Sequence, residues 1–112
     1  MSRYADRAQM TSTTTGTGTL TLSAATPKYQ TFSAAGVANA EVVNYLIEDG
    51  NAWEIGYGTY TVSGTTLSRN LRSSSSGSLL NCSGGQLVSV IAAGADFTAF
   101  EVDRWFYMVK GY

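Results

Sequence analysis

Hydrophobic and polar residues alternate along several short stretches of this chain. A period of two places successive side chains on opposite faces of an extended backbone, so it is typical of a β-strand with one buried face. In residues 15–23, Leu20 and Leu22 alternate with Thr19 and Thr21. This stretch predicts an exposed edge strand that lays its leucines on a core and keeps its hydroxyl groups in water.

Residues 42–48 predict a second strand, because Val43, Tyr45 and Ile47 share one face. The Asp-Gly-Asn run that follows, residues 49–51, is typical of a tight turn, since glycine and asparagine tolerate the positive φ that such turns require. Together these segments predict the first half of a β-hairpin.

The strand after this turn has two unequal faces. Trp53, Ile55 and Tyr57 lie on one face, and they alternate with a glutamate and two glycines, Gly56 and Gly58. We interpret the bulky face as the core face. The glycines leave space for another group to lie close, such as an aromatic ring from a neighbouring strand.

Turn signals divide the rest of the chain into short strands. Residues 63–64, Ser-Gly, predict a second hairpin turn, after which residues 65–71 return as a strand. A polar loop is expected at residues 73–78 and a last strand at residues 87–91. Short strands at this spacing, with no convincing helical period, predict an all-β fold, a small antiparallel β-sandwich or barrel.

The two ends of the chain differ from this middle part. We expect an N-terminal arm at residues 1–10, the β-domain at residues 11–92, and an aromatic C-terminal segment at residues 93–112. The C-terminal segment is either a closing core strand or an arm that docks on a neighbouring subunit. Consecutive large side chains cannot all point inward from one strand. The expected partner interface is therefore Trp105, Phe106, Tyr107 and Met108.

Composition favours a protein that associates with others. The chain has 112 residues, enough for one small domain, and only 13% of them are charged. Soluble domains normally carry about a quarter charged residues. A net charge of −1 without a basic cluster disfavours DNA or RNA as a partner. We expect copies of the same chain and other proteins as partners.

The lone cysteine, Cys82, excludes an internal disulfide, and we expect it to be a small buried hydrophobe. The N-terminus lacks the pattern of a signal peptide, and no apolar run is long enough to span a bilayer. These features predict assembly in a cytoplasm, without membrane insertion.

Three sequence blocks are informative because of the order in which they occur along the chain: DRAQMTSTTTGTGTLTL at residues 6–22, YLIEDGNAWEIGYGTYT at residues 45–61, and TTLSRNLRSSSSGSLLN at residues 65–81. Together they resemble a short β-rich domain of structural proteins from tailed bacteriophages, as found in tail-fibre and head-associated proteins. The resemblance implies a virion component.

The chain offers little catalytic chemistry. It contains no histidine, which removes the commonest general base and metal ligand. Among the carboxylates, Asp49 is expected to form the turn, with Glu48 directly before it in the chain. Glu54, across the turn, is expected to be a solvated strand residue. Their pattern matches neither a glycosidase pair nor a calcium-binding loop. The Gly16-Thr17-Gly18 run is not a phosphate-binding loop, because it leads into a strand instead of a helix. We expect no catalytic residue, cofactor or metal.

Carbohydrate binding is the remaining small-molecule hypothesis. Its candidate rings, which would stack on sugar faces, are Trp53, Tyr57, Tyr60, Trp105 and Tyr107. The assignment of Trp53 and Tyr57 to the core argues against it, because rings that pack inside a domain cannot reach a sugar.

The sequence therefore predicts a non-enzymatic virion structural protein, preferably a tail-fibre or baseplate-associated module that acts by docking and self-association. The alternative is a capsid decoration protein, favoured by the small size and the two terminal arms. A host-carbohydrate adhesin is the third hypothesis.

Overall fold

The computed structural model describes residues 7–91, and every regular element in this range is a β-strand. The strands are β1 Gln9–Ser12, β2 Leu20–Ala25, β3 Val42–Asp49, β4 Ala52–Thr61, β5 Thr66–Leu67, β6 Asn70–Ser74 and β7 Gln86–Ile91. The predicted all-β class is confirmed.

The strands form one antiparallel sheet that closes on itself. Going around the ring, β4 pairs with β3, β3 with β7, β7 with β1, β1 with β2, β2 with β5, and β5 again with β4. β6 follows β5 after a break at Ser68 and Arg69 and pairs farther along β4. The architecture is a small antiparallel barrel, and closure gives every ring strand two neighbours.

The prediction of an edge strand at residues 15–23 was wrong. The strand begins later, at Leu20, and it has β1 on one side and β5 on the other. The neighbour β1 exists because part of the expected N-terminal arm joins the barrel, where Ala8 and Met10 are buried in the core. The structure does not describe residues 1–6 of that arm or residues 92–112, which include the whole C-terminal segment predicted at residues 93–112.

The barrel interior is filled by alternate residues of the strands, as the sequence predicted for β2 and β3. Leu20 and Leu22 are buried, and Val43, Tyr45 and Ile47 have no exposed surface. The predicted buried faces of these two strands are confirmed, although Asn44 on the other side of β3 is also buried.

In β4 the predicted core face was wrong. The residues that point inward are Glu54, Gly56, Gly58 and Tyr60, whereas Trp53 is only half-buried. Ile55 and Tyr57 also lie on the outer side of the strand instead of in the core: Ile55 is half-buried and Tyr57 is 39% exposed.

Pairing with β3 decides this choice of face. Tyr45 lies opposite Gly56 and Val43 opposite Gly58, and directly paired residues share one side of a sheet. The Tyr45 ring fills the space over Gly56, where an added Cβ would collide with it. The expectation of an aromatic ring close to the glycines is therefore confirmed for Gly56, whereas the Ser68 backbone lies close to Gly58, and both glycines face the inside of the barrel.

The hairpin between β3 and β4 has the predicted tight turn. Asp49 pairs with Ala52, so Gly50 and Asn51 alone form the loop, and Gly50 has a φ of 64°. The Asp49 carboxylate accepts hydrogen bonds from the backbone N–H and the hydroxyl of Ser83, both at 2.8 Å. Asp49 thus forms the turn and also holds the segment that leads into β7.

Both ends of the barrel are covered by connecting segments. At one end, Phe32 and Val37 are buried, and the Phe32 ring lies 5.5 Å from the ring of Tyr60. At the other end, Gly16 and Cys82 exchange backbone hydrogen bonds, which brings the glycine-containing loop of the first block against the chain before β7. The predicted burial of Cys82 is confirmed.

Candidate docking face and buried ion pair

A buried ion pair joins β4 to the segment between β5 and β6. The side chains of Glu54 and Arg69 are 0% and 1% exposed, and Glu54 Oε1 lies 2.5 Å from Arg69 Nη2. The same oxygen accepts a hydrogen bond from the Leu80 backbone N–H at 2.7 Å, and Oε2 accepts one from the Tyr45 hydroxyl at 2.5 Å. The prediction that Glu54 is solvated was wrong.

Arg69 connects this carboxylate to the covered end of the barrel. Its guanidinium donates hydrogen bonds to the backbone carbonyls of Leu80 at 2.7 Å, Gly16 at 3.2 Å and Gly18 at 3.3 Å. The planar guanidinium presents several N–H groups in fixed directions, which suits a site with this many acceptors. Arg69 therefore links three parts of the chain: β4, the loop at residues 16–18, and the segment at Leu80.

The protonation states of the cluster follow from burial and from the Glu54 charge. Burial raises the pKa of Tyr45, and the hydrogen bond to Glu54 raises it further, so Tyr45 remains a neutral donor. Burial alone would lower the pKa of Arg69, but its hydrogen bond with Glu54 and the charge of that carboxylate raise it overall. Arg69 therefore stays charged.

The Glu54 carboxylate is fully engaged within this cluster. Both Glu54 oxygens are occupied by donors from Arg69, Tyr45 and Leu80, and the side chain has no exposed surface. A general acid or base must reach its substrate within hydrogen-bond distance. Glu54 is unavailable for that role. Glu48, by contrast, is exposed on the opposite face of the sheet.

The outside of the barrel carries an unusual concentration of apolar side chains across three adjacent strands. We call this surface the outer apolar face, and its members are Leu46 on β3, Trp53, Ile55 and Tyr57 on β4, and Leu87 and Ile91 on β7.

Register interleaves these side chains with three polar residues: buried Asn44 lies between Tyr57 and Ile91, Glu48 between Trp53 and Leu87, and Ser89 beside Leu46. Ile55 is opposite Leu46, and the row toward the Asp49 turn runs from Trp53 through Glu48 to Leu87. Most members are half-buried and Tyr57 is exposed. A surface that carries several large apolar side chains is a candidate interaction site on a soluble protein. The sequence contained its signal, the bulky side of β4, but we had assigned that side to the core.

One edge of this face is polar. The guanidinium of Arg72 lies 4.9 Å from the centre of the Tyr57 ring, which is the geometry of a cation–π contact. Tyr57 is thereby held against β6, next to the serine-rich loop that follows. Aromatic and arginine side chains with a polar rim are typical of protein interfaces.

The structure separates the rings that the sugar-binding hypothesis had grouped. Trp53 and Tyr57 belong to the outer apolar face, whereas Tyr60 is 2% exposed and its hydroxyl is hydrogen-bonded to the Ser33 hydroxyl at 2.7 Å. Trp105 and Tyr107 lie outside the described residues, as do Phe106 and Met108 of the predicted interface. The objection that Trp53 and Tyr57 are core residues no longer holds.

Within residues 7–91, no group of three or more His, Cys, Asp or Glu side chains is arranged to hold a metal ion. In the same part of the chain, no helix has the length and apolar character needed to cross a membrane. Comparisons of the chain with protein-family models, with curated proteins and with solved structures find no match.

Proposed function

We propose that this chain is a non-enzymatic structural protein of a tailed-bacteriophage virion, assembled in the host cytoplasm. Within the virion, we assign it to a tail-fibre or baseplate-associated module that acts by docking on other virion proteins and on copies of itself. The observation that carries the proposal is the outer apolar face, a broad surface suited to a protein partner, on a chain whose central carboxylate is committed to an ion pair.

The three phage-like sequence blocks support the proposal in a specific way. Gly16 and Gly18 belong to the first block, Glu54 to the second and Arg69 to the third, and these residues meet in one buried cluster. The blocks therefore depend on one another physically, which gives their ordered occurrence more weight than three separate low-complexity matches.

Location in the particle tests the proposal. Immunogold labelling of purified phage particles with an antibody against this chain should mark the tail end. Antibody that has been adsorbed with the purified protein is the control and should leave particles unlabelled. Label spread over the shell would favour the alternative, a capsid decoration protein. Particles that contain no label and no copy of the chain by mass spectrometry would contradict a virion role.

A host-carbohydrate adhesin remains a second candidate function, because the structure places Trp53 and Tyr57 on the surface. Rings that stack on sugars must be accessible. Binding of the purified protein to host capsule or lipopolysaccharide, reduced by Trp53→Ala and unchanged by Val62→Thr in an exposed turn, would support this function. Equal binding by both variants would exclude Trp53 from a sugar site.

A further inference from the structure

We infer that residues 79–83 form a strap that covers the buried Glu54–Arg69 pair and opens as one unit while the barrel ring stays folded. The inference goes beyond the proposed function and does not depend on the place of the chain in a particle. It rests on the polar anchors of the strap, on the few apolar side chains that it buries, and on the glycines that flank it.

The strap lies directly over the ion pair. Glu54 Oε1 accepts a hydrogen bond from the Leu80 backbone N–H, and Arg69 Nη2 donates one to the Leu80 carbonyl, both at 2.7 Å. The side chains of Glu54 and Arg69 are almost completely buried, so the Leu80 backbone is part of what separates the pair from solvent. Displacement of the strap would therefore expose the charged end of the barrel.

The remaining anchors of the strap are also polar. Cys82 and Gly16 exchange backbone hydrogen bonds at 2.9 and 3.0 Å, as an isolated bridge and not as part of a strand. The Asp49 carboxylate accepts the two hydrogen bonds from Ser83. Leu80 and Cys82 are the buried apolar side chains of the strap. A segment with few buried apolar contacts and no strand ladder opens at a lower free energy than the core.

Glycines flank the strap, and the barrel holds the chain on both sides of them. Before the strap, Gly77 has a φ of 81°, and Ser75 donates its backbone N–H to the Trp53 carbonyl at 3.0 Å. After the strap, Gly84 has a φ of 104°, and Gln86 is fully buried at the start of β7. Glycine adopts a wide range of backbone torsions, so rotation at these two positions moves the strap without disturbing β4 or β7.

Cys82 reports the opening of the strap, because it is buried in the folded chain and is the single cysteine of the sequence. In the full-length protein, the thiol reagent DTNB should label Cys82 at a rate that is nearly independent of urea at low urea concentrations, since opening of the strap exposes little surface.

A relocated thiol is the control for global unfolding. A chain with Cys82→Ser and Val88→Cys carries its thiol on β7, at a position that is 0% exposed. This thiol should react at least about a hundredfold more slowly than Cys82, and with a steep dependence on urea, because it becomes accessible only when the ring unfolds.

Two substitutions at the Asp49–Ser83 anchor test what holds the strap closed. Asp49→Ala removes the acceptor of both hydrogen bonds and should speed Cys82 labelling by at least about tenfold, whereas Ser83→Ala removes only the hydroxyl contact and should speed it by about threefold. Glu48→Ala is the matched control, since Glu48 is the exposed neighbouring carboxylate, and it should label at the wild-type rate. Each rate is divided by the rate of the same variant in denaturing urea, which removes differences in intrinsic thiol reactivity.

Two outcomes would overturn the inference. Cys82 labelling with the urea dependence of the Val88→Cys chain would show that the strap opens only with the whole barrel. Wild-type labelling rates in the anchor variants would show that Asp49 does not hold the strap. Urea unfolding followed by tryptophan fluorescence establishes that each variant is folded during labelling, and Ser83→Ala decides the result if Asp49→Ala is unfolded. Labelling of phage particles tests the virion role separately from these measurements.

Discussion

At the scale of single residues, the Glu54–Arg69 pair explains how a charged group fits inside a small barrel. Removing two charges from water is expensive unless the pair has good geometry and further hydrogen bonds. Here Glu54 receives additional donors from Tyr45 and Leu80, and Arg69 donates to three backbone carbonyls. The pair therefore binds distant segments together, and losing either partner would leave the other charge uncompensated.

We expect Glu54→Gln to lower the free energy of unfolding by about 3–5 kcal/mol, because Arg69 would remain buried without an opposite charge. Urea denaturation measures the loss. Glu48→Gln is the matched control, since Glu48 is exposed, and it should change stability by less than about 0.5 kcal/mol. Equal stability of both variants would show that the ion pair contributes little.

Tyr45 should make the protein sensitive to alkaline pH. Its pKa is raised above the usual 10.0 by burial and by the hydrogen bond to Glu54, so the folded chain keeps a proton that the unfolded chain releases. The stability linked to this proton is complete below about pH 10 and is lost as the pH rises further, by up to about 1.4 kcal/mol per pH unit. Urea denaturation between pH 9 and 11 should give a smaller decline for Tyr45→Phe. Identical slopes in both proteins would contradict the assignment.

At the scale of elements, β4 shows how a neighbouring strand selects which side of a strand is buried. Its inward glycines, Gly56 and Gly58, accept close contact from the Tyr45 ring and the Ser68 backbone. The outward side is left with Trp53, Ile55 and Tyr57, and this arrangement produces the candidate docking face.

Gly58→Ala should destabilise the barrel by about 1–3 kcal/mol, because the new Cβ would overlap the Ser68 carbonyl, a backbone group with little freedom to move. Gly18→Ala provides the control, since an added Cβ there meets nothing within 4 Å. Thermal and urea denaturation of the two variants should differ clearly. Comparable stability would mean that β4 and the β5–β6 segment are less closely packed.

Trp53→Ala should lower the free energy of unfolding by less than half of the about 3–5 kcal/mol that deletion of a buried aromatic ring normally costs. The reason is that Trp53 lies half-buried on the outer apolar face. Tyr60→Ala should show the full loss, because Tyr60 is 2% exposed and packs against Phe32. Urea denaturation ranks the two variants. A Trp53→Ala protein that unfolds as readily as Tyr60→Ala would restore the original core assignment.

At the scale of the whole molecule, closure and capping make the barrel self-sufficient within residues 7–91. Six strands complete the ring, and buried side chains from connecting segments cover both ends, including Phe32 and Leu80. The ring is thus complete without residues 92–112, and we propose that the aromatic C-terminal segment serves association.

Truncation after Gly94 should leave a barrel that unfolds cooperatively but no longer associates. Circular dichroism during heating tests folding, and light scattering tests association. A full-length variant with Trp105→Ser and Phe106→Ser is the control, because it removes two of the predicted aromatic anchors without shortening the chain. Loss of cooperative unfolding in the truncated chain alone would show that the segment belongs to the core.

Local sequence determined the features that depend on near neighbours. Alternation predicted the buried sides of β2 and β3, and the Gly50-Asn51 pair predicted the turn, because side-chain period and backbone torsion are properties of a few consecutive residues. The count of short strands and turns was also sufficient to predict an antiparallel all-β fold.

Tertiary structure alone decided which side of β4 is buried and whether a carboxylate belongs there. Either side of that strand obeys the same alternation, and the choice follows from pairing with Tyr45 on β3. The burial of Glu54 requires Arg69, 15 residues away, and the Leu80 N–H, 26 residues away. Such partners meet only when the chain is folded, so the free energy that makes an inward charge acceptable is not encoded in any local pattern.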